Sequence, residues 1–451
     1  MYDAIVVGAR CAGSATALLL ARKGYRILLV DRSNFPSDLP FSTHYIHQTG
    51  TALLKRWGLL DSVVASNCPP ITTLYFDFGN FVLAGSPPPA AGVKEAFAPR
   101  RKVLDAILVE AAVSSGAELR TDFSVNELLS EGGCVCGIRG RQKHGSPVSE
   151  RARIVIGADG MHSTVARAVR APEYNTKEPL EGPYFSYWSW VQMKGFEFHP
   201  GAYRGAFGWM TNDGLALVGV GFAAKDHPSV RADIEGNYLG AITEDAPELA
   251  ERLRNGRREE RFVGGVVPNY FRKPFGPGWA LVGDAGYLKD PCTAAGITDA
   301  FHSAELLTDA IDSGLSGRHA LNETLEDYER KRNQAAFPLY EFTCQLATLA
   351  PPAPEMQRLL GALKGNQRQT NRFFGVFAQT VSVPEFFSPE NMQEIFGQDP
   401  ASGDCLRTPG GSCMKLAQVR WILSGTHLLH TCCTLQMGCF GATHKLLNQA
   451  K

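Results

Sequence analysis

The sequence predicts an α/β fold: a parallel sheet with flanking helices, an inserted and mainly antiparallel β segment, and helices towards the C-terminus. Three observations predict it. Residues 2–31 alternate strand and helix around a glycine-rich turn. Between Glu173 and Val267 helical periodicity fades, and short aromatic-rich runs (PYFSYWSWV, RGAFGWM, GLALVGVGF, RFVGGVV) take over. From Trp279 a buried strand returns, followed by long helical segments.

A chain of 451 residues has room for roughly two or three domains. Its 45 basic and 45 acidic side chains balance, so charge gives no reason to expect nucleic acid or an anionic membrane as partner. Polar residues break every apolar run well short of the roughly 18 residues of a membrane span. Asp3 stands where a secretory signal would carry positive charge, so a cytoplasmic location is expected. The 11 cysteines lack metal or disulfide spacing, which suits a reducing compartment, and no metal site is expected. Nothing in the pattern specifies an oligomeric state.

The first strand is DAIVVG, the turn runs from Gly8 to Gly13, a helix covers Ser14–Lys23, and RILLVD forms the next strand. Leu53–Val64 reads as helix. Arg101–Ser115 is strongly helical, with Val103, Ile107, Leu108 and Ala111 as its apolar face. Glu118–Arg141 reads as short antiparallel strands, with Cys134 and Cys136 facing the core, and RARIVIGADG as a buried strand ending in a glycine turn. Later come a strand at Trp279–Asp284 and helices at Gly296–Ile311 and Leu321–Leu349. The expected organisation is a nucleotide-binding part over 1–171, with a small antiparallel portion near 70–140. A β insert over 172–270 follows, then the completing part over 271–350 and a helical segment over 351–397. Residues 398–451 form an irregular tail. Its Cys405, Cys413, Cys432, Cys433 and Cys439, with His427, His430 and His444, match no zinc spacing.

Four motifs carry chemistry. In GARCAG, a tight strand-to-helix turn aims backbone N–H groups and a helix N-terminus at a pyrophosphate. Gly8 and Gly13 hold the first and third glycine positions of a dinucleotide-binding turn, with Cys11 and Ala12 between them. Arg10 replaces the middle glycine, so its guanidinium must turn away or meet the phosphates itself. Asp31, 18 residues after Gly13 and followed by Arg32, stands where an acid accepts ribose hydroxyls. The second motif is GADGMHSTVAR, with Asp159 and Gly160; a helix N-cap is the plain alternative for that aspartate. The third, GWALVGDAGYLKDPCTAAGITDAF, carries Gly283, Asp284, Pro291, Gly296 and Ile297 ahead of a helix. The fourth is Arg101 in RRKVLDAIL, accompanied downstream by Tyr328 and Arg332 in TLEDYERKR.

In this order, over Tyr2–Arg332, the motifs resemble those of the superfamily of FAD-dependent monooxygenases of the aromatic-hydroxylase type, with geranylgeranyl-reductase-like FAD oxidoreductases as near kin. The resemblance implies a Rossmann-like FAD-binding domain and a substrate pocket under the inserted sheet. It places Arg101 at the FAD phosphates and Asp159 near the ribityl–pyrophosphate part. Asp284 would accept a ribityl hydroxyl, and the helix from Gly296 would point at the flavin edge. It implies reduction of FAD by NADPH or NADH, then oxygen transfer from dioxygen through a flavin C4a-hydroperoxide to a small aromatic or polyketide-like substrate. Alternatives within the resemblance are a double-bond saturase, a flavin-dependent halogenase, and a non-enzymatic prenyl-binding escort protein. Intact Asp159 and Asp284 argue against the last. Trp188-Ser189-Trp190 is similar to a halogenase W-x-W-x-I-P signature, but Gln192 and Met193 replace its Ile-Pro.

For substrate contact, Trp188 and Trp190 fall on one face of a strand and Tyr187 on the other, and Trp209 joins the candidates. In STHYIHQTG, His44 and His47 are candidate acid–base residues titrating near neutrality, and Tyr45 is a candidate for orienting a substrate hydroxyl. Polar residues of a loop leading into the next helix are the plain alternative.

Overall fold

A computed structural model describes residues 1–397, and the cysteines and histidines singled out in the tail lie outside the described residues. In chain order the first elements are β1 (Tyr2–Val7), α1 (Cys11–Arg22), β2 (Ile27–Val30), α2 (Gln48–Arg56), α3 (Leu60–Ala65), β3 (Leu74–Asp77), β4 (Val82–Gly85) and α4 (Arg101–Ser114). Next come β5 (Glu118–Arg120), β6 (Phe123–Glu131), β7 (Cys134–Gln142), β8 (Val148–Gly157), α5 (Thr164–Ala168), β9 (Glu173–Lys177), β10 (Glu181–Ser189), β11 (Phe196–Pro200), β12 (Arg204–Met210) and β13 (Ala216–Ala223). Then follow α6 (His227–Ala232), α7 (Ile234–Asp245), α8 (Pro247–Arg254), β14 (Arg257–Arg258), β15 (Val263–Gly264), β16 (Asn269–Arg272), β17 (Phe275–Gly276), β18 (Trp279–Leu281) and β19 (Tyr287–Leu288). The remainder is helical: α9 (Gly296–Leu315), α10 (Leu321–Leu346), α11 (Pro354–Leu363), α12 (Gln367–Phe377), α13 (Val383–Phe386) and α14 (Pro389–Gly397). No helix among the described residues is long and apolar enough to cross a membrane.

The first sheet runs β17-β18-β8-β1-β2-β5, with β1, β2, β5, β8 and β18 parallel. Its central strands read as unbroken apolar runs because both faces are buried. One face packs against α1, α4 and α9, the other against the β6–β7 hairpin and α5. Glu118–Arg120, expected to be antiparallel, instead pairs in parallel with β2, because α4 returns the chain as a crossover. The hairpin that follows is antiparallel as expected. Its Cys134 is exposed and Cys136 half-buried, while the intervening Val135 faces the core.

Two helices differ from expectation for local reasons. The Leu53–Val64 segment breaks into α2 and α3 at Gly58, whose φ is +72°. In α4 the buried face is Arg101, Leu104, Asp105, Leu108, Val109 and Ala112, not the expected Val103, Ile107 and Ala111. Arg101 and Asp105 form an i,i+4 ion pair turned inward, which a hydrophobicity pattern assigns to solvent.

The second sheet runs β14-β10-β13-β12-β11-β3-β4. It takes β3 and β4 from residues 74–85, so the inserted sheet also draws on chain before residue 172. Helices α6, α7 and α8, unforeseen in the sequence, sit within the insert. Tyr184, Trp188, Val218 and Val220 pack with α7 and α8 residues Tyr238, Ile242 and Leu249. By strand alternation, Phe185, Tyr187, Phe207, Trp209 and Leu217 point the opposite way.

Candidate active site

The turn after β1 is glycine-dependent at two positions. A Cβ on Gly13 would stand 1.7 Å from the Gly8 carbonyl oxygen, and one on Gly8 would stand 2.4 Å from that of Ala158. Gly8 also has φ +104°. Helix α1 starts at Cys11, three residues before the expected Ser14, and no side chain caps it, which leaves its first N–H groups for an anion. Arg10 is half-buried. Its guanidinium donates to Asp105 Oδ2 at 2.6 Å, to Ser37 Oγ at 3.2 Å and to the Asp38 carbonyl at 3.3 Å. Fully buried Asp105 also accepts from Arg101 Nη2 at 2.9 Å and from the Cys11 thiol at 3.5 Å. Two guanidinium groups on one carboxylate leave a net positive charge beside the helix N-terminus, as a diphosphate requires. Burial pushes the Cys11 thiol far up, so it serves packing.

Asp31 ends β2 with Oδ2 accepting the Ala9 N–H at 2.7 Å and Oδ1 accepting the Ser33 N–H at 2.8 Å. Arg32 beside it is exposed. Asp159 has the geometry of the plain alternative. Its carboxylate accepts from Ser163 Oγ at 2.5 Å and the Thr164 N–H at 2.6 Å, at the start of α5. Gly160, at φ +76°, has open space around its Cα.

The Gly283–Gly296 segment is held from below by α10. Tyr328 Oη donates to the Leu281 carbonyl at 2.9 Å, and Arg332 Nη1 to that of Gly286 at 3.0 Å. Gly283 has φ +60°, and a Cβ there would meet that of Ala12 at 2.7 Å, so glycine lets the segment rest on α1. Half-buried Asp284 accepts no hydrogen bond at its carboxylate from the described residues, and desolvation pushes its pKa up to about 6 against the opposing pull of Arg101. Beside it, buried Lys289 pairs with Asp299 in the first turn of α9. Asp290 caps the turn at Pro291 by accepting the Cys292 N–H at 3.2 Å. Ala294 is left-handed, φ +52°, a conformation that glycine adopts without steric cost. Helix α9 begins uncapped at exposed Gly296, with nothing near its missing side chain, and Ile297 is buried behind it. A free carboxylate, two uncapped helix N-termini and a paired-arginine cradle fit FAD as donors and acceptors.

The loop before α2 joins this segment to the inserted sheet. His47 Nε2 contacts the Thr293 carbonyl at 2.9 Å, and its N–H donates to Thr298 Oγ1 at 3.1 Å. Tyr45 is fully buried, with ring centroids 4.8 Å from His47, 5.2 Å from Phe196 and 5.1 Å from Trp209. Trp209 Nε1 donates to the Thr43 carbonyl at 3.1 Å. His44, at φ +65°, bonds Tyr187 Oη through Nε2. Five buried polar atoms here have no partner among the described residues: His44 Nδ1, Tyr45 Oη, His47 Nδ1, Gln48 Oε1 and Thr51 Oγ1. Such a cluster is costly unless a ligand completes it.

The expectation that His44 and His47 titrate near neutrality is corrected. Burial, aided for His44 by Arg100 and Arg101, lowers their pKa values to about 3 and 4, so both are neutral. The strand that carries Trp188 ends at Ser189, one residue short of Trp190. Trp188 is buried against α7, with Nε1 donating to Tyr238 Oη at 3.2 Å, and Trp190 is 72 % exposed. Tyr187 points to the opposite face of β10 from Trp188, with the Arg100 guanidinium 3.8 Å from its ring centroid. Arg100 is further tied to Glu260 at 2.8 Å and Asp38 at 3.0 Å. Alternation along PYFSYWSWV carried the signal for Tyr187. No local pattern signals Arg100 or Lys289.

Residues 1–187 match the family described as FAD binding domain. The chain is 28% identical over 343 residues to a digeranylgeranylglycerophospholipid reductase of Methanocella arvoryzae, covering 74% of this chain and 83% of that one. Its counterpart in Methanosarcina acetivorans is 27% identical over 74% of this chain and 80% of its own length. Among solved structures, a flavin-dependent brominase superposes with TM-score 0.74 at 17% identity, over 88% of this chain and 99% of that one. A probable FAD-dependent monooxygenase from Pseudomonas aeruginosa superposes at 0.62 and 18% identity, over 83% and 99%.

Proposed function

We propose that this chain is an FAD-dependent oxidoreductase of the superfamily that contains the hydroxylase-type flavoproteins and the geranylgeranyl reductases, and that it reduces a carbon–carbon double bond in a largely apolar substrate. One observation carries the reading: the sheet face above the Ser42–Gly50 loop is apolar and aromatic, and both histidines beneath it are neutral. Phe185, Phe207, Trp209, Leu217 and Phe196 offer hydrocarbon contact. Tyr45 Oη and the free Nδ1 atoms of His44 and His47 would orient a polar end of the substrate. The similarity to digeranylgeranylglycerophospholipid reductases, over 74% of this chain, supports the same choice.

When bound and reduced, FAD supplies a hydride for a double bond or, with dioxygen, an oxygen atom for hydroxylation. The chain's residues bind, orient and dry. The N-termini of α1 and α9 and the Arg10–Arg101–Asp105 cluster would hold the phosphates and the flavin edge, Asp31 the ribose, and Asp284 a ribityl hydroxyl. NADPH or NADH is proposed as reductant. The stacked rings of Phe207, Trp209 and Phe196 favour a second reading, hydroxylation of an aromatic ring.

The experiment reduces the enzyme anaerobically with NADPH and adds polyprenyl or aromatic probes, with and without ¹⁸O-labelled dioxygen. Two added hydrogens in the product support the reductase; one labelled oxygen supports the hydroxylase. A protein that takes up no FAD overturns both.

A further inference from the structure

Tyr45 and His47 stand between the Gly283–Gly296 segment and the aromatic sheet face. His47 Nε2 lies 2.9 Å from the carbonyl oxygen of Thr293, in the turn that leads into α9. Tyr45 packs edge-on against the His47 ring, and edge-on also against Phe196 of β11 and Trp209 of β12. Both side chains are 1 % exposed. Tyr45 Oη and His47 Nδ1 nevertheless have no partner among the described residues.

The Thr293 contact decides what the free atoms can do. A backbone carbonyl only accepts, so His47 Nε2 carries the ring hydrogen. Burial keeps the ring neutral, with its pKa lowered to about 4, so Nδ1 is a bare lone pair and accepts. His44 differs, because its Nε2 meets the Tyr187 hydroxyl, a bond that either tautomer satisfies. Burial pushes the Tyr45 pKa up, so its oxygen stays an O–H that can donate and accept. A ligand group that completes both atoms must give one hydrogen to His47 and take one from Tyr45. A hydroxyl does both. A phosphate or carboxylate oxygen takes the Tyr45 hydrogen but sets negative charge against the His47 lone pair. The ionic groups that act on His47 are Asp299 and Lys289, which pair with each other, and none acts on Tyr45. A charged ligand group would thus be buried without a counter-charge, which costs far more than burying a hydroxyl.

We infer that Tyr45 and His47 form a recognition site for an uncharged hydroxyl of the substrate. The substrate O–H donates to His47 Nδ1, and the Tyr45 O–H donates to the substrate oxygen. The inference rests on the functional reading above in placing the substrate against this face. It narrows the substrate class to an alcohol on an apolar skeleton, and sets the free alcohol above its phosphate ester.

The test titrates the oxidised holoenzyme with ligand and follows the flavin absorbance, which reads binding without turnover. Three probes share one skeleton: geranylgeraniol, its methyl ether and its monophosphate. The ether accepts from Tyr45 but has no hydrogen for His47. The alcohol is expected to bind about tenfold to a hundredfold tighter than the ether, the effect of one buried acceptor left unpaired, and tighter than the phosphate. In His47→Phe the alcohol and ether should bind alike. In Tyr45→Phe both should weaken while the alcohol keeps its lead. An alcohol that binds the wild type no better than the ether overturns the role of His47, and a phosphate that binds tightest overturns the uncharged class. If no polyprenyl probe binds, phenol and anisole take their place. A preference for phenol then supports the hydroxyl site while the reductase reading falls, and no preference overturns both.

Discussion

The chain twice turns a strand into an uncapped helix N-terminus, at Gly8–Gly13 and at Gly283–Gly296, and the two turns handle negative charge differently. Around the first, every carboxylate is engaged. Asp31 holds the Ala9 and Ser33 amides, and Asp105 holds Arg10 and Arg101. Around the second, Asp284 has no partner among the described residues. A partnered carboxylate shapes a loop, whereas an unpartnered, half-buried one keeps its acceptor capacity for a ligand. On the proposed FAD reading, the first turn serves as a rigid cradle and the second as the point of specific recognition.

Four perturbations would break or sharpen that contrast. The largest effect is expected at Gly13→Val. Its Cβ would stand 1.7 Å from the Gly8 oxygen, so the cost should exceed about 3 kcal/mol. Thermal melting and flavin content check it; a yellow protein with wild-type melting would break the rigid-cradle account. Next, Asp284→Ala should weaken FAD binding about tenfold to a hundredfold, the worth of one charge-assisted hydrogen bond, without lowering the melting temperature of the apoprotein. Unchanged flavin content in that variant refutes the recognition role.

The third perturbation is pH. A pKa of about 6 at Asp284 lies above the ordinary 3.8, so the apoprotein loses stability as pH rises through that window. FAD binding needs the ionised acceptor and should weaken as pH falls through about 6. Titration calorimetry reads the slope, and Asp284→Asn should flatten it. The smallest effect is expected for Arg10→Ala. Asp105 keeps Arg101, so stability should change by at most about 1 kcal/mol. FAD affinity should fall a few-fold and become less salt-dependent, which binding at two ionic strengths would reveal.

The same contrast explains what the sequence disclosed. Strand, turn and helix at residues 2–31 and 279–315 are legible because the glycines and apolar runs are local necessities of close packing. The inward face of α4 was not, because Arg101 and Asp105 neutralise each other across one helical turn and bury as a pair. Trp188 and Trp190 drew attention as large rings. The alternation of β10 and the α7–α8 cover, which decide which side meets the site, depend on chain far from it. The histidines of the loop were found by type and misjudged by charge, since burial follows from packing that local sequence does not encode.

The hairpin of β3 and β4 has a consequence for how the molecule is made. Residues 74–85 emerge from synthesis long before β11, yet Leu74, Tyr75 and Phe76 must find Phe196, Glu197 and Phe198 as parallel neighbours. The first sheet must likewise wait for β18 beside β8. Both sheets therefore close late, through pairings of high sequence separation, and folding should be slow. A fragment cut at 172–270 would leave β11 as a bare, aromatic edge, prone to aggregate.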